Sequence, residues 1–372
     1  MATYIHELEG FPDFVWDDAE LQFTLGRVRN LQGRLLGQMG ALGFALKEEA
    51  VLETLTLDVL KSTEIEGEIL NPEQVRSSIA RRLGMDISGL VPSDSHVDGV
   101  VEMMLDATQH NQKALTARRL FNWHSALFPT GRSGMYKIVV GNWRKEGTDP
   151  MQVVSGAMGK EKVHYQAPEA IKVGNEMSKF LVWFNGEQKI DPVIKAGIAH
   201  LWFLTIHPFD DGNGRIARAI ADMQLARADG SAQRFYSMSV QIRKERKEYY
   251  EISEKTQKGT LDITHWLKWF LDCLHLALNA TEKTLEAVLT KARFWEKHST
   301  TILNARQRTM INKLFDGFDG KLTSSKWAKI NKCSADTALR DIQDLIGKEI
   351  LCKEQAGGRS TNYELLATAK RT

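Results

Sequence analysis

The sequence predicts a mainly α-helical protein with one β-hairpin near its middle and a small mixed helix-and-strand domain at its C-terminal end. Three observations support this class. Apolar residues recur at helical spacing over residues 21–36 and 48–61, as on the buried face of a helix. Two β-prone runs, residues 151–156 and 162–166, flank the segment Ala-Met-Gly-Lys-Glu, which is typical of a hairpin. From about residue 303, three short helix patterns precede a strand, a turn and a second strand.

The chain is predicted to contain three domains, as its length of 372 residues suggests. Residues 1–90 form an N-terminal helical region, which opens with an irregular aromatic segment. A loop at residues 91–95, Val-Pro-Ser-Asp-Ser, leads into the core domain, residues 91–297. A separate helix over residues 281–297 is expected to lead out of that core, and residues 298–372 form the third domain.

The composition is ordinary for a globular protein and excludes few functions. The net charge of +2 argues neither for nor against nucleic acid as a partner. Three cysteines, Cys273, Cys333 and Cys352, lack the CxxC spacing of a metal or redox site and are too few for a disulfide framework. The first residues carry no signal-peptide pattern, and no apolar run has membrane-spanning length. We therefore expect a cytoplasmic protein without a membrane partner.

The most informative segment is residues 207–218, His-Pro-Phe-Asp-Asp-Gly-Asn-Gly-Arg-Ile-Ala-Arg. Apolar helical patterns lie on both sides of it, so Gly212 and Gly214 fall near a helix N-terminus. Free backbone N–H groups and the helix dipole favour an anion there, and glycine lets the backbone approach it closely. Asp-Gly-Asn-Gly alone is also a common turn. A turn does not need His207 or two arginines on one helix side, so the segment predicts a phosphate site.

Chemistry suggests a role for each polar side chain of this segment. His207 titrates in the range of a general base that accepts the proton of a hydroxyl group. Asp211 is a hard oxygen ligand suited to Mg²⁺ bound to phosphates. Asn213 can donate amide hydrogens to phosphate oxygens, Arg215 can clamp a β-phosphate, and Arg218 would reach the γ-phosphate.

The same segment matches every defined position of the Fic family signature, H-P-F-x-[D/E]-G-N-G-R-x-x-R, so the chain resembles that family. Most members are adenylyltransferases, which move AMP from ATP to a hydroxyl side chain of a protein. The resemblance implies a Fic helical core, ATP and Mg²⁺ as cofactors, His207 as catalytic base, and pyrophosphate as product. Phe209 is expected to fix the loop from the core, and Asp210, at the variable position, receives no role.

A second motif, residues 62–67, Ser-Thr-Glu-Ile-Glu-Gly, resembles the inhibitory motif of the family, [S/T]-x-x-x-E-[G/N]. Its defined positions here are Ser62, Glu66 and Gly67. Glu66 would lie near a helix end, pair with Arg218 and occupy the space of the γ-phosphate. The alternative is a solvated glutamate beside two others, Glu64 and Glu68.

The predicted hairpin resembles the family's flap, which lies over the nucleotide and pairs with the backbone of the target as an extra strand. A plain surface hairpin is the alternative. The resemblance assigns nucleotide contacts to the flap residues Val153, Val154, Ser155 and Gly156 and to the adenine-side residues Tyr249, Tyr250 and Gln257. Gln257 stands where the family has Asn.

The C-terminal pattern resembles a winged helix, as often found appended to Fic proteins. Its third helix carries Asp336, Asp341 and Asp344 against Arg340 alone, which disfavours DNA because acids are repelled by phosphates. Packing, homodimerisation or target recruitment is expected instead. The leading function is thus an autoinhibited protein adenylyltransferase acting on a target protein or on itself. The alternatives are a nucleotide-sensing regulator that binds DNA, and a Fic enzyme that uses another nucleotide or removes AMP.

Overall fold

The computed structural model describes residues 4–40, 44–85, 90–147, 150–156, 162–315, 318, 320–354 and 361–366. The turns predicted at residues 157–161 and 357–360 lie outside these residues. The chain divides into two units, Met1–Glu282 and Lys283–Thr372, and each is described by itself. The finer division into three domains stays a prediction. No helix in the described part of the chain is long and apolar enough to cross a membrane.

The N-terminal region is helical, as predicted. After a short 3₁₀-helix, Ile5–Glu7, its helices are α1 (Asp18–Gly40), α2 (Phe44–Ile65) and α3 (Pro72–Leu83). Asn71 caps α3 by accepting hydrogen bonds from the backbone of Glu73 and Gln74, and Pro72 fills the first helical position. Gly84, with φ of 67°, ends this helix in the left-handed conformation that glycine adopts without strain.

The rest of the first unit is a helical core interrupted by two hairpins. Its elements are α4 (Ser95–Gln109), α5 (Ala117–Leu127), β1 (Arg132–Ser133), β2 (Tyr136–Lys137), β3 (Gln152–Ser155), β4 (Lys162–Gln166), α6 (Ala170–Asn185), α7 (Pro192–Ile206), α8 (Asn213–Asp229), α9 (Met238–Lys244), α10 (Arg246–Gln257) and the first part of α11 (Thr264–Lys297), whose later residues belong to the second unit. The antiparallel pair β3–β4 is the predicted hairpin, with a bulge between Val153 and Val154. The small antiparallel pair β1–β2 was not predicted.

Helix α7 is the centre of this unit. Every residue from Val193 to Phe203 is buried, and α7 packs along α8. A helix that is apolar on all sides is one that its neighbours cover completely. The loop that joins α7 to α8 is therefore held on both sides by rigid, buried helices.

The prediction of a separate helix over residues 281–297 is wrong. These residues are the second half of α11, which runs without interruption for 34 residues. The physical reason is visible in the sequence, because no glycine or proline interrupts the stretch from Thr264 to Lys297.

The second unit contains α12 (Ala305–Phe315), α13 (Ser324–Asn331), α14 (Ala335–Gly347) and the antiparallel strands β5 (Leu351–Lys353) and β6 (Tyr363–Leu365). Trp327 is fully buried in its core. Ser334 caps α14, since its hydroxyl accepts a hydrogen bond from the backbone N–H of Thr337. Asp341 is buried on α14 and paired with Arg306 at 2.7 Å, so this acid stabilises the unit instead of facing outward.

Candidate active site

His207 begins the loop between α7 and α8. Its φ of 50° is left-handed, which costs a residue other than glycine about 1 kcal/mol and persists only where the surroundings impose it. Arg144 helps to impose this left-handed conformation, because its Nε donates to the carbonyl oxygen of His207 at 2.8 Å. The Nδ1 atom of His207 lies 3.3 Å from the carbonyl oxygen of Leu204, which can only accept. Nδ1 therefore carries the proton, and Nε2 is the nitrogen left to act as a base.

The protonation state of His207 fits that role. Burial, the largest cause, lowers the pKa of His207 to about 4, although the hydrogen bond to Leu204 and the charges of Asp211 and Glu66 oppose this effect. The imidazole is consequently neutral at pH 7. A neutral imidazole with a free Nε2 can accept a proton without first losing one.

The middle of the loop is braced from inside. Phe209 is fully buried, as expected, and stacks on His124 with a ring-centroid distance of 4.2 Å and an interplanar angle of 7°. The side chain of Asn213 closes the loop, because Nδ2 donates to the carbonyl oxygen of Phe209 at 2.8 Å and Oδ1 accepts from its N–H at 3.0 Å. The structure thus places the Asn213 amide on the loop backbone, where it is 2% exposed.

His124 was missed from the sequence. Its Nδ1 accepts from the N–H of Gly141 at 3.3 Å, so Nε2 carries the proton and donates to the carbonyl oxygen of Asp211 at 3.2 Å. Burial lowers the pKa of His124 to about 4, which keeps this single tautomer neutral. The available signal was a histidine on the apolar face of α5, beside Leu120 and Leu127.

Asp211 faces the end of β1. One carboxylate oxygen accepts from the N–H of Gly212 at 2.6 Å, and the other accepts from the Ser133 hydroxyl. Among the described residues, no group of three or more His, Cys, Asp or Glu could enclose a metal ion. A single carboxylate nevertheless fits Mg²⁺ that arrives on a nucleotide, since this ion keeps several waters and takes phosphate oxygens as ligands. Asp210, which received no role, accepts from the N–H of Val139 at 2.8 Å and so anchors the segment after β2.

Glu66 reaches the start of α8 from the end of α2. Its Oε1 accepts from Nη2 of Arg218 at 2.8 Å, and the Ser62 hydroxyl accepts from Nε of the same arginine at 2.9 Å. A Cβ built on Gly214 would lie only 2.2 Å from Oε1 of Glu66, so the carboxylate rests directly against the glycine backbone. The predicted anion position at this helix N-terminus is therefore filled by a carboxylate of the same chain.

The other arginine of the loop has its own carboxylate. Nη1 of Arg215 donates to Oε2 of Glu68 at 2.9 Å, and its guanidinium lies 5.1 Å from the ring centroid of Phe128. Glu68 also lies 3.3 Å from Nε2 of His96, and that hydrogen bond is the largest of the causes that lower the pKa of Glu68. Glu68 was expected only as a solvated glutamate, so its contact with Arg215 was not predicted.

Both arginines keep spare hydrogen-bonding capacity. Each is only 1% exposed. Within the part of the chain that the structure describes, the Nε of Arg215 and the Nη1 of Arg218 are buried without a partner. Buried guanidinium donors without partners are costly, and an anionic ligand with several oxygens would satisfy them.

The adenine-side residues are not equivalent in the structure. Tyr249 lies in the core with its hydroxyl 2.9 Å from Nε2 of His200, and Gln257 is 6% exposed. Tyr250 is half-exposed, and its hydroxyl reaches Oε2 of Glu66 at 3.4 Å. Of the three, Tyr250 is the one whose hydroxyl contacts the Glu66 carboxylate.

The flap residues lie on the outer hairpin. Val154, Ser155 and Gly156 are exposed, and Val153 is half-buried. The hairpin is fastened to the end of α7 by the buried Tyr165, whose hydroxyl donates to the carbonyl oxygen of Thr205 at 2.6 Å, two residues before His207.

Comparison with known proteins agrees with this geometry. The family model described as Fic/DOC family matches residues 114–225, and a domain of unknown function (DUF4172) matches residues 4–85. The chain is 25% identical over 264 residues to protein adenylyltransferase Fic of Culex quinquefasciatus, covering 68% of this chain and 45% of that protein. It is 34% identical over 115 residues to protein adenylyltransferase Fic of Drosophila grimshawi, covering 30% and 21%. The chain thus spans about half or less of the length of these relatives.

Two solved structures share the fold. A Fic family protein from Desulfovibrio desulfuricans superposes with a TM-score of 0.53 at 19% identity, over 93% of this chain and 95% of that one. A Fic domain containing signaling protein from Bacteroides thetaiotaomicron gives a TM-score of 0.50 at 20% identity, over 72% and 97%. The family model thus identifies a Fic/DOC family domain at residues 114–225, which contain the signature segment at residues 207–218.

Proposed function

We propose that the chain is an autoinhibited protein adenylyltransferase that transfers AMP from ATP to a Tyr, Thr or Ser hydroxyl of a target protein. The observation that carries the proposal is the anion position at the start of α8, where the Glu66 carboxylate lies against Gly214 and on Arg218. A neutral His207 with its Nε2 free begins the same loop.

In the proposed reaction, Nε2 of His207 accepts the proton of the target hydroxyl. The hydroxyl oxygen bonds to the α-phosphorus, the bond from that phosphorus to the bridging oxygen of the β-phosphate breaks, and pyrophosphate leaves. Arg215 and Arg218 stabilise the charge on the departing phosphates, which is the main source of rate in phosphoryl chemistry of this kind. Mg²⁺, held by Asp211 when it is bound with ATP, would neutralise part of the same charge.

Other predicted residues take supporting roles in this proposal. Asn213 keeps the loop closed through Phe209, and the N–H of Gly214 would donate to a phosphate oxygen, whereas the N–H of Gly212 already donates to Asp211. The flap, from Val153 to Gly156, guides the target backbone, and Tyr250 borders the nucleotide. Tyr249 and Gln257 support this side from within the core.

Autoinhibition follows from the position of Glu66. The Glu66 carboxylate takes the position that a γ-phosphate would need. It also accepts from the Arg218 donor that would otherwise bind that phosphate. Ser62 holds the arginine from the other side through its hydroxyl and its carbonyl oxygen. ATP can bind productively only when the end of α2, at Glu66 and Gly67, has moved.

The second unit is proposed to be winged-helix-like and to recruit a target or a second copy of the chain. DNA binding is disfavoured, because Asp336 and Asp344 are exposed on α14 and Asp341 already neutralises Arg306. A steep salt dependence of binding to duplex DNA would contradict this assignment. Cytoplasmic localisation remains part of the proposal.

The test is AMP incorporation from α-labelled ATP with Mg²⁺ in the presence of a lysate of the source organism. The proteins are wild type, Glu66→Gly and Glu66→Gly combined with His207→Ala or His207→Asn. Asparagine tolerates the left-handed backbone better than alanine and so separates loss of the base from distortion of the loop. Label on lysate proteins with Glu66→Gly alone supports the proposal.

A Glu66→Gly protein that binds ATP but labels no protein would overturn it. Transfer from another α-labelled nucleotide, or release of AMP from a modified protein, would instead favour the other Fic chemistries.

A further inference from the structure

The direction of the Asp211 carboxylate depends on a residue outside the signature loop. In the described ranges of the chain, this carboxylate accepts one hydrogen bond on each oxygen. Oδ1 accepts from the N–H of Gly212 at 2.6 Å, and Oδ2 accepts from the Ser133 hydroxyl. The bond from Gly212 joins neighbouring residues and moves with the loop. Ser133 lies 78 residues earlier in the chain, so it fixes the carboxylate from a different element.

Ser133 is itself part of a braced hairpin. It lies in β1, which pairs with β2, and the chain after β2 is fastened to the signature loop again. The N–H of Val139 donates to Oδ2 of Asp210 at 2.8 Å, and the N–H of Arg144 donates to the carbonyl oxygen of Pro208 at 2.9 Å. A hydroxyl held at such a place has a defined position relative to the loop.

The two hydrogen bonds leave Asp211 able to bind a cation. Each oxygen of a carboxylate has two acceptor sites, and one site on each oxygen of Asp211 is in use. Mg²⁺ demands near-octahedral geometry, so a single carboxylate must point in the right direction to serve as its ligand. Removing a hydrogen-bond partner of a ligating side chain typically lowers metal affinity about 10- to 100-fold.

We propose that Ser133 is a positioning residue for ATP–Mg²⁺, because its hydroxyl holds the Asp211 carboxylate in the orientation that accepts the ion. The inference rests on the proposed function for the identity of this ligand. It adds a residue that lies outside both the signature segment and the inhibitory motif. Ser133 neither bonds to the nucleotide nor takes a proton in the reaction, and it acts through Asp211.

The test is titration calorimetry of ATP on the full chain with Glu66→Gly, once with Mg²⁺ and once with EDTA in its place. The variants in this background are Ser133→Ala, Ser133→Thr, Asp211→Asn and Ser133→Ala combined with Asp211→Asn. Threonine keeps the hydroxyl and suits a strand. The Mg²⁺ concentration that gives half-maximal AMP transfer is measured on the same proteins.

The matched control is Ser93→Ala. Ser93 is half-buried like Ser133, and its hydroxyl also donates to a carboxylate, that of Asp98, at 2.7 Å. This substitution therefore removes the same kind of hydrogen bond without touching Asp211.

We expect Ser133→Ala to weaken ATP binding about tenfold with Mg²⁺ and to leave binding with EDTA unchanged. The Mg²⁺ concentration for half-maximal transfer should rise by a similar factor, and saturating Mg²⁺ should restore the rate. Ser133→Thr and Ser93→Ala should bind ATP as the Glu66→Gly protein does. In Asp211→Asn, which lacks the ionised carboxylate, Ser133→Ala should have no further effect.

An equal loss of affinity with Mg²⁺ and with EDTA would overturn this inference, because Ser133 would then only support the hairpin. Unchanged affinity of Ser133→Ala in Mg²⁺ would overturn it as well. A loss that depends on Mg²⁺, in proteins that transfer no AMP, would support the inference and overturn the proposed function. Absence of ATP binding in every protein would overturn both.

Discussion

Arg215 and Glu68 form an ion pair of 2.9 Å, while Arg218 pairs with Glu66 at 2.8 Å, so each arginine of the signature loop is held by a separate carboxylate. Both carboxylates come from the end of α2 and the residues just after it. The two pairs differ in setting, because Glu68 is more exposed than Glu66 and also contacts His96. Moving the segment from Glu66 to Glu68 away from the arginines must therefore break two contacts, of which the family motif describes only the one at Glu66.

The second ion pair should weaken nucleotide binding. In a Glu66→Gly background, Glu68→Gln is expected to tighten ATP–Mg²⁺ binding about fivefold, which corresponds to roughly 1 kcal/mol for a charged hydrogen bond partly screened by solvent. Titration calorimetry measures the change. The matched control is Glu64→Gln, because Glu64 pairs with Lys61 and Arg243 and not with the signature arginines. Weaker ATP binding in Glu68→Gln would mean that Glu68 positions Arg215 for the nucleotide.

The contact between Gly214 and Glu66 predicts an energetic coupling between these two positions. Gly214→Ala should lower the melting temperature of the wild type, because the new Cβ must displace the Glu66 carboxylate from Arg218. In Glu66→Gly the same substitution should be neutral or stabilise by up to about 1 kcal/mol, since alanine is the better helix former. Thermal unfolding of the four proteins gives the coupling energy. Equal destabilisation in both backgrounds would contradict the contact.

The pH dependence of transfer should reflect the lowered pKa of His207. Because burial lowers the pKa of His207 to about 4, the free base is present at all pH values well above this. The ratio kcat/KM for ATP of the Glu66→Gly protein should stay level from pH 7 down to about pH 5 and fall below that. The charge of Glu66 raises the pKa of His207. Its removal in Glu66→Gly should therefore move the acid limb of the pH profile to lower pH. An acid limb centred near pH 6.5 would show that the base is an ordinary exposed histidine.

Two buried histidines should make folding stability depend on pH. Burial lowers the pKa of His124 to about 4 and that of His200 to about 3, below the unfolded value of 6.5. The unfolded chain therefore binds protons first as the pH falls. Stability is fully present well above pH 6.5 and declines below it, by roughly 3 kcal/mol per pH unit for these two groups; His207, whose pKa is also lowered to about 4, adds roughly 1.4 kcal/mol per pH unit.

Urea unfolding between pH 6 and pH 5 measures this slope. The variant His200→Gln should have a slope smaller by about 1.4 kcal/mol per pH unit, one proton's share. An unchanged slope would show that His200 is protonated in the folded state.

Local patterns predicted the helices α1 and α2, the two helices on either side of the signature loop, the three helices of the second unit, the β3–β4 hairpin and the signature loop itself. They were sufficient because helical periodicity, caps such as Ser334 and the glycines of the loop are encoded over a few neighbouring residues. The helix boundary expected near residue 281 was wrong because no residue of α11 breaks a helix.

The contacts that the sequence did not predict join residues far apart along the chain. His124 meets Asp211 87 residues later, and Glu68 meets Arg215 147 residues later. In each pair, the residues that flank one partner along the chain give no indication of the other partner. Asp210 was set aside because its position varies in the family pattern, whereas its carboxylate binds the N–H of Val139. Only the packing of α2, α5 and the signature loop brings such pairs together.

In the proposed function, Glu66 lies just after α2 in the same unit as Arg218 and therefore acts as a tethered ligand with a fixed effective concentration. Dilution or concentration of the protein leaves its occupancy unchanged. The apparent dissociation constant of ATP equals the intrinsic constant divided by the fraction of molecules whose arginine is free. A partner that stabilises the displaced form of the Glu66 segment raises the fraction of molecules whose Arg218 is free. The apparent affinity for ATP then rises by the same factor.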